Sequence, residues 1–122
     1  MTNGYKNVAS GKYCEIWFSC KTLKEYKQAP QKDRVRVNKI LDHLSENGPE
    51  NLHDKQYKSE GRFSDGTGKK IMVYAVKSYQ LRIYGWWHDG PPRRMMCPEG
   101  AIKKTDKADR SQLERVAKKA GE

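Results

Sequence analysis

The segment from Ile71 to Trp87 constrains the fold more than any other part of the chain. It reads IMVYAVKSYQLRIYGWW, and β-branched and aromatic residues alternate on either side of Ser78-Tyr79-Gln80. Such alternation is typical of half-buried β-strands, and a three-residue linker is short enough for a hairpin. The segment therefore predicts two antiparallel strands at the centre of the core, with helices packed on them.

Weaker periodic patterns on both sides of the hairpin predict the remaining elements. The clearest is a helix from Lys32 to Asn47, in which Val37, Ile40, Leu41 and Leu44 form one apolar stripe before Gly48-Pro49 ends it. The other predicted elements are a strand from Tyr13 to Ser19, a short helix from Lys21 to Gln28, a strand beginning at Gly61-Arg62-Phe63, a weaker strand from Arg94 to Ile102, and a last helix from Asp106 to Ala120 capped by Asp106 or Asp109.

This order of elements predicts one domain over residues 1–122, with a polar, fraying segment at residues 1–12. We expect the α+β class, with a mainly antiparallel sheet of about four strands. The two N-terminal helices are expected on one face of the sheet and the C-terminal helix at its edge.

Charge suggests the kind of partner. The chain carries 25 Lys and Arg against 15 Asp and Glu, a formal net charge of +10 with a pI of about 9.6. A small domain this basic usually meets a polyanion. No apolar run is long enough to span a bilayer, and three cysteines without paired spacing fit a cytoplasmic chain with reduced thiols.

Cations and aromatic residues are interleaved along the predicted sheet. Rings can stack bases and cations can hold phosphates, so the pattern predicts single-stranded RNA as a ligand. Aromatic residues in strands are nevertheless more often core than base platforms. The cations are Arg62, Lys69, Lys70, Lys77, Arg82, Arg93, Arg94, Lys103, Lys104 and Lys107, and the aromatic residues are Phe63, Tyr74, Tyr79, Tyr84, Trp86 and Trp87.

Arg82 is the least expected residue of the hairpin, because it lies between Leu81 and Ile83 in a predicted core strand. A guanidinium is never neutral, so it needs a partner or an exposed face. Two readings stay open: a structural position, exposed or paired with a carboxylate such as Glu15 or Asp89, and a phosphate-binding role.

Few residues offer acid–base chemistry. His88-Asp89 follows the hairpin, His53-Asp54 precedes the sheet, and Tyr79 lies in the turn. The sequence has no zinc motif, nucleophile elbow or carboxylate cluster. An enzyme built on this chain is therefore expected to work without a metal or a cofactor.

From Tyr13 to Lys119 the chain resembles the RelE/ParE toxin superfamily, and within it the phage-associated, HigB-like branch. The resemblance rests on the phrase VYAVKSYQLRIYGWW, on the later AIKKTDKADRSQLERVAKKA, and on the order of elements. The branch has a strand arginine in an R-x-Y context, here Arg82-Ile83-Tyr84, and a lysine-rich loop before the last helix, here Lys103-Lys104-Thr105-Asp106-Lys107.

The resemblance implies a RelE-like fold and the toxin of a type II toxin–antitoxin pair. Its substrate would be mRNA on the ribosome, cleaved without a metal by attack of the 2′-hydroxyl, and its partner an acidic or helix-turn-helix antitoxin. Arg82 and Lys77 would bind the scissile phosphate, helped by a lysine of the later loop, and His88 is a candidate for proton transfer. The alternative is a non-catalytic protein on the same fold that inhibits a host target such as gyrase or a nucleic-acid enzyme.

Overall fold

The computed structural model describes residues 4–103 and 107–122, which form six strands and three helices. The sheet has the order β1-β2-β6-β5-β4-β3; β2 and β6 run parallel, and every other neighbouring pair is antiparallel. In chain order the elements are β1 (Tyr5–Ser10), β2 (Glu15–Ser19), α1 (Cys20–Gln28), α2 (Gln31–Asn47), β3 (Tyr57–Ser64), β4 (Lys70–Lys77), β5 (Leu81–His88), β6 (Arg94–Ile102) and α3 (Arg110–Ala120).

The α+β class and the mainly antiparallel pairing are confirmed, but the predicted number of about four strands is wrong, because the sheet has six strands and one parallel pair. β1 lies within residues 1–12, which were expected to fray, and it pairs antiparallel with β2. It has no apolar pattern because it is an edge strand whose side chains are at most half-buried. β3 begins at Tyr57, four residues before the predicted Gly61, and pairs with β4 along its length.

Identifiable residues mark where the helices begin and end. The hydroxyl of Ser19 caps α1 by accepting the N–H of Thr22, and the carboxylate of Asp109 caps α3 by accepting the N–H of Ser111. α2 ends at Gly48, whose φ of 82° favours glycine. Asp106, the other predicted cap, lies outside the described residues. None of the helices in the described ranges is long and apolar enough to cross a membrane.

Two separate apolar clusters cover the two faces of the sheet. The predicted stripe of α2 is confirmed: Val37, Ile40, Leu41 and Leu44 are buried in the same cluster as Leu81 and Ile83 of β5. The other cluster holds residues of the opposite face of β4 and β5 together with α3; its buried members are Val73, Ala75, Tyr84, Leu113, Val116 and Ala117. The C-terminal helix therefore lies on the opposite face from α1 and α2, and its predicted position at the edge of the sheet is wrong.

The sheet divides where β5 passes Gly85. In the described part of the chain, the register between β4 and β5 covers only Tyr74–Lys77 and Arg82–Gly85. Beyond Gly85, β5 pairs with β6, while the first half of β4 pairs with β3. A Cβ on Gly85 would lie 2.5 Å from the carbonyl oxygen of Met96, so this close approach of the two strands requires glycine. Because β4 and β5 have no pairs in the described register beyond Tyr74 and Gly85, a gap opens between the two strands there.

Candidate nucleic-acid interface

The predicted cations lie at two opposite ends of the sheet. The end that includes the β4–β5 turn carries Lys77, Arg82, Lys103 and Lys107. The other end carries Arg62, Lys69, Lys70, His88, Arg93 and Arg94. Lys104 lies outside the described residues. His88 lies six positions after Arg82 along β5, a distance of roughly 20 Å. The structure therefore brings Arg82 and Lys77 together and does not bring His88 to them.

Arg82 is a buried part of the hairpin. Its side chain is 4% exposed and donates hydrogen bonds to the carbonyl oxygens of Ser78 (2.8 Å) and Leu81 (3.2 Å). Lys77 is its direct partner on β4 and is also buried. Of the two proposed carboxylate partners, Glu15 pairs with Arg94 at the other end of the sheet. The geometry gives Arg82 a role in holding the β4–β5 turn.

The end near His88 presents a different surface, which we call the open sheet face. Trp17, Met96 and Trp86 form one row across β2, β6 and β5, and Glu15, Arg94 and His88 form the next row. Two strand spacings place the tryptophans about 10 Å apart. Both indoles are half-buried, and Met96 between them is fully buried. The face thus offers two aromatic surfaces in register.

One carboxylate organises the edge of this face. Oε1 of Glu15 accepts a hydrogen bond from Nε1 of Trp17 at 3.1 Å and another from Nε of Arg94 at 3.1 Å. The side chains of Glu15 and Arg94 are 30% and 24% exposed, so solvent screens the pair. Its main effect is geometric, because it fixes an indole and a guanidinium side by side.

α3 covers only part of this side of the sheet. It contacts β3, β4, β5 and β6, and no helix within residues 4–103 and 107–122 lies over the Trp17 side of β2. A cavity of about 890 Å³ lies between the end of α3 and the open sheet face; its walls include Tyr5, Trp86, His88, Glu99, Arg115 and Lys119. The cavity is large enough for a nucleotide-sized group.

The carboxylate of Glu99 joins α3 to the sheet inside this cavity. Burial alone would raise the pKa of Glu99, but Arg115, with two hydrogen bonds of 3.1 Å, and Lys21 at 3.4 Å lower it below its usual range. Nε2 of Gln112 also donates to Glu99, at 3.2 Å. Glu99 therefore stays charged and holds α3 against the sheet through Arg115 and Gln112. Across the cavity, burial raises the pKa of Tyr5 to about 12.

A second cavity, of about 520 Å³, lies at the gap between β4 and β5; we call it the aromatic cleft. Five aromatic residues line it: Tyr13, Tyr57, Tyr74, Trp86 and Trp87. The rings of Tyr57 and Tyr74 stack with centroids 5.4 Å apart, and the Tyr57 hydroxyl accepts a 2.8 Å hydrogen bond from Nε1 of Trp87. Burial raises the pKa of Tyr57, so its hydroxyl keeps its proton.

Arg93 provides the cationic wall of the aromatic cleft. Its guanidinium carbon lies 4.2 Å from the ring centroid of Tyr13, within the range of a cation–π contact. Asp89 lines the same cavity and is exposed. Trp86 lines both this cleft and the cavity on the open sheet face. The other rings of the cleft pack with the apolar cluster on the α2 side, so the two cavities lie on opposite sides of the sheet and share one indole at the gap between β4 and β5.

The arrangement suits stacking and charge contacts better than bond cleavage. Indole and phenol rings can stack nucleobases, and a cation lies beside each set of rings: Arg93 beside Tyr13 in the cleft, and Arg94 beside Trp17. In the described part of the chain, no three His, Cys, Asp or Glu side chains are grouped as metal ligands. Nδ1 of His88 is buried and has no hydrogen-bond partner there. The site thus offers rings and cations.

Sequence reasoning found part of this site. It singled out Trp86, Trp87 and Tyr74, which lie at the cleft, but also Tyr84, which is buried under α3, and Tyr79, which is exposed in the turn. Phe63 likewise packs against the α3 cluster. The residues it missed are Tyr13, Trp17 and Tyr57. An indole opposite the Ile16 and Phe18 side of β2 was the available signal, because that face had no predicted helix to cover it.

Comparison with known proteins gave no match among protein-family models, curated proteins or solved structures. The resemblance to the RelE/ParE superfamily stays a prediction.

Proposed function

We propose that the protein binds single-stranded RNA through the open sheet face and the aromatic cleft. The observation that carries this proposal is the row Trp17–Met96–Trp86, which presents two indoles in register beside Arg94. A ring on a sheet face can stack only a base that has left its own helical stack, so the arrangement favours a single strand over a duplex. Stacking is tolerant of sequence, because every base has a π-face.

Charge at the same end supports the proposal. Arg62, Lys69 and Lys70 are exposed at this end of the sheet, and Arg93 is exposed at the mouth of the cleft. Cations around a set of aromatic rings are the arrangement needed to hold a phosphate backbone while bases stack. The logarithm of the binding constant is therefore expected to fall linearly with the logarithm of the salt concentration.

Cleavage of ribosome-bound mRNA is a second candidate function, and the juxtaposition of Lys77 and Arg82 favours it. Two cations on neighbouring strands could hold one phosphate. His88, however, lies roughly 20 Å from them, so it cannot act on that phosphate as acid or base. The geometry supports binding better than catalysis. The antitoxin partner and the alternative host target, such as gyrase, stay predictions.

The test measures the binding of a fluorescein-labelled RNA of about 12 nucleotides by fluorescence anisotropy. Trp17→Ala and Trp86→Ala are each expected to weaken binding about 5- to 150-fold, since stacking contributes about 1–3 kcal/mol per base. Tyr79→Ala is the matched control, because this ring is 55% exposed in the β4–β5 turn at the opposite end of the sheet. It should leave the affinity unchanged.

Two results would contradict the proposal. One is tight binding that neither tryptophan substitution affects in a protein whose circular dichroism shows an intact fold. The other is equal or stronger binding of a duplex of the same length. A cleavage assay in a translating extract separates the two functions. It compares the two tryptophan variants with a Lys77→Gln variant, and loss of mRNA cleavage in Lys77→Gln alone would establish the catalytic alternative.

A further inference from the structure

A third cavity lies on the outer side of α2, away from both cavities described above. Its volume is about 780 Å³, and we call it the α2 groove. One wall is a face of α2, and the other is formed by the loop before β3 and by Tyr79 of the β4–β5 turn. Its walls include Lys32, Val35, Arg36, Lys39, Leu52 and Tyr79.

Positive charge runs along this groove. Lys32, Arg36 and Lys39 are spaced by four and three residues, so they form one cationic stripe on α2, and His43 follows four residues later on the same face. Nζ of Lys32 and the guanidinium carbon of Arg36 lie 4.8 and 5.0 Å from the ring centroid of Tyr79. None of the lining residues in the described ranges is an aspartate or a glutamate. Like charges at this spacing destabilise a helix until anions approach them.

The groove is also apolar at its centre. Val35 and Tyr79 are 47% and 55% exposed, and they are two of the three large hydrophobic residues that the described surface leaves exposed. Leu52 and Ile40 continue this apolar strip inside the groove. Nε of Arg36 is buried and has no hydrogen-bond partner among the described residues. An occupant therefore needs aliphatic side chains flanked by anionic oxygen atoms.

We propose that the α2 groove binds an acidic, amphipathic helix of a partner protein. Leucine-like side chains of the helix would contact Val35 and Leu52, and its carboxylates would pair with Lys32 and Lys39. The face of α2 from Lys32 to His43 is about 16 Å long, which corresponds to about three turns of a partner helix. RNA suits this groove less well, because aliphatic walls offer no stacking and cations already lie over the ring of Tyr79.

The test uses a fluorescein-labelled helical peptide of about 14 residues, with leucine at i, i+4 and i+7 and glutamate on both flanks. Binding is measured at about 0.15 M salt, where bare long-range attraction is screened. A second peptide has the same composition in scrambled order. The first is expected to bind, and the scrambled peptide at least about tenfold more weakly, because it cannot align its apolar and acidic faces.

Substitutions then locate the site. The double variant Lys32→Glu, Lys39→Glu reverses two exposed charges and is expected to weaken binding of the peptide by at least about tenfold. A peptide with lysine in place of glutamate is expected to bind this variant again. The control is Lys24→Glu, an exposed lysine on α1 that lies outside the groove. Tyr79→Ala should weaken binding of the peptide and leave RNA binding unchanged. Trp86→Ala should weaken RNA binding and leave peptide binding unchanged.

Three outcomes would overturn the proposal: no binding of the acidic peptide, equal binding of the scrambled peptide, or equal binding by the charge-reversed variant. Loss of RNA binding in the charge-reversed variant, with RNA displacing the peptide, would assign the groove to nucleic acid instead. Because the tryptophan variants report on RNA separately, failure of this proposal and failure of the proposed function are distinguishable.

Discussion

Replacement of Asp33 should destabilise the protein more than that of any exposed carboxylate on α2. Asp33 lies in the first turn of α2 and is fully buried. Its Oδ1 accepts the backbone N–H groups of Gln80 at 2.8 Å and Leu81 at 3.2 Å, at the turn between β4 and β5. One carboxylate therefore joins a helix to the central hairpin across 47 residues of sequence.

The size of the effect follows from these two bonds. Asp33→Ala leaves two buried N–H groups without their acceptor, and each such loss costs about 1–3 kcal/mol, so we expect a decrease of about 3 kcal/mol in the free energy of unfolding. Asp33→Asn keeps an acceptor oxygen and loses only the charge, which predicts a decrease of about 1–2 kcal/mol.

The effect also depends on pH. Burial alone would raise the pKa of Asp33, but the N–H groups of Gln80 and Leu81, together with Lys32, hold it below the usual value of 3.8. A carboxyl group whose pKa is lower in the folded state stabilises the fold above its unfolded pKa. That contribution is lost as pH falls below 3.8 and through the lower folded pKa. The difference between wild type and Asp33→Ala should therefore shrink in that range.

Urea unfolding at pH 7, and at several values below pH 4, checks this prediction for wild type and both variants. Asp42→Asn is the control, since Asp42 is exposed on the same helix and should change stability by less than about 0.5 kcal/mol. A midpoint for Asp33→Ala within that margin of wild type would refute the reasoning. A destabilisation that stays constant at all pH values would refute the part that assigns it to the charge.

Two further predictions concern charged residues in the sheet. Arg82→Met removes the hydrogen bonds to the carbonyl oxygens of Ser78 and Leu81, so urea unfolding should show a loss of about 3 kcal/mol while RNA affinity stays unchanged; an unchanged midpoint would contradict the structural role. Glu99→Gln weakens the contact with Arg115, which is half-exposed, so thermal unfolding should show a decrease of about 3–8 °C at pH 7 that diminishes below pH 4.5; a decrease independent of pH would contradict it.

Much of the fold could be predicted from the sequence wherever one face of an element is apolar. The hairpin was predicted within Ile71–Trp87 and occupies Lys70–Lys77 and Leu81–His88, because period-two alternation is strong there. α2 was predicted within one residue for the same kind of reason. β1 was not predicted, because what holds it is backbone pairing with β2, which leaves no apolar pattern in an edge strand.

The site was harder to predict because it depends on pairing between distant strands. His88, Arg93 and Arg94 are close in sequence to Trp86, and their grouping could be predicted. Trp17 joins them only because β2 pairs in parallel with β6, and no local pattern sets that register. For Arg82 the alternation gave the strand and the orientation away from Leu81. The alternation did not predict that Arg82 is buried, because α3, which lies on that face, was expected at the edge of the sheet.

The length of α3 explains why one part of the sheet remains available for a ligand. Eleven residues of helix span about 16 Å, whereas the six-stranded sheet is about 24 Å wide. α3 is therefore too short to cover the whole sheet, and its main contacts in the described part of the chain are with β3 to β6. Trp17 belongs to neither apolar cluster of the described residues, and Trp86 packs beside the α3 cluster; both indoles are half-buried. Two indoles that a longer helix would cover are left for stacking, beside cations that repel one another until a polyanion binds.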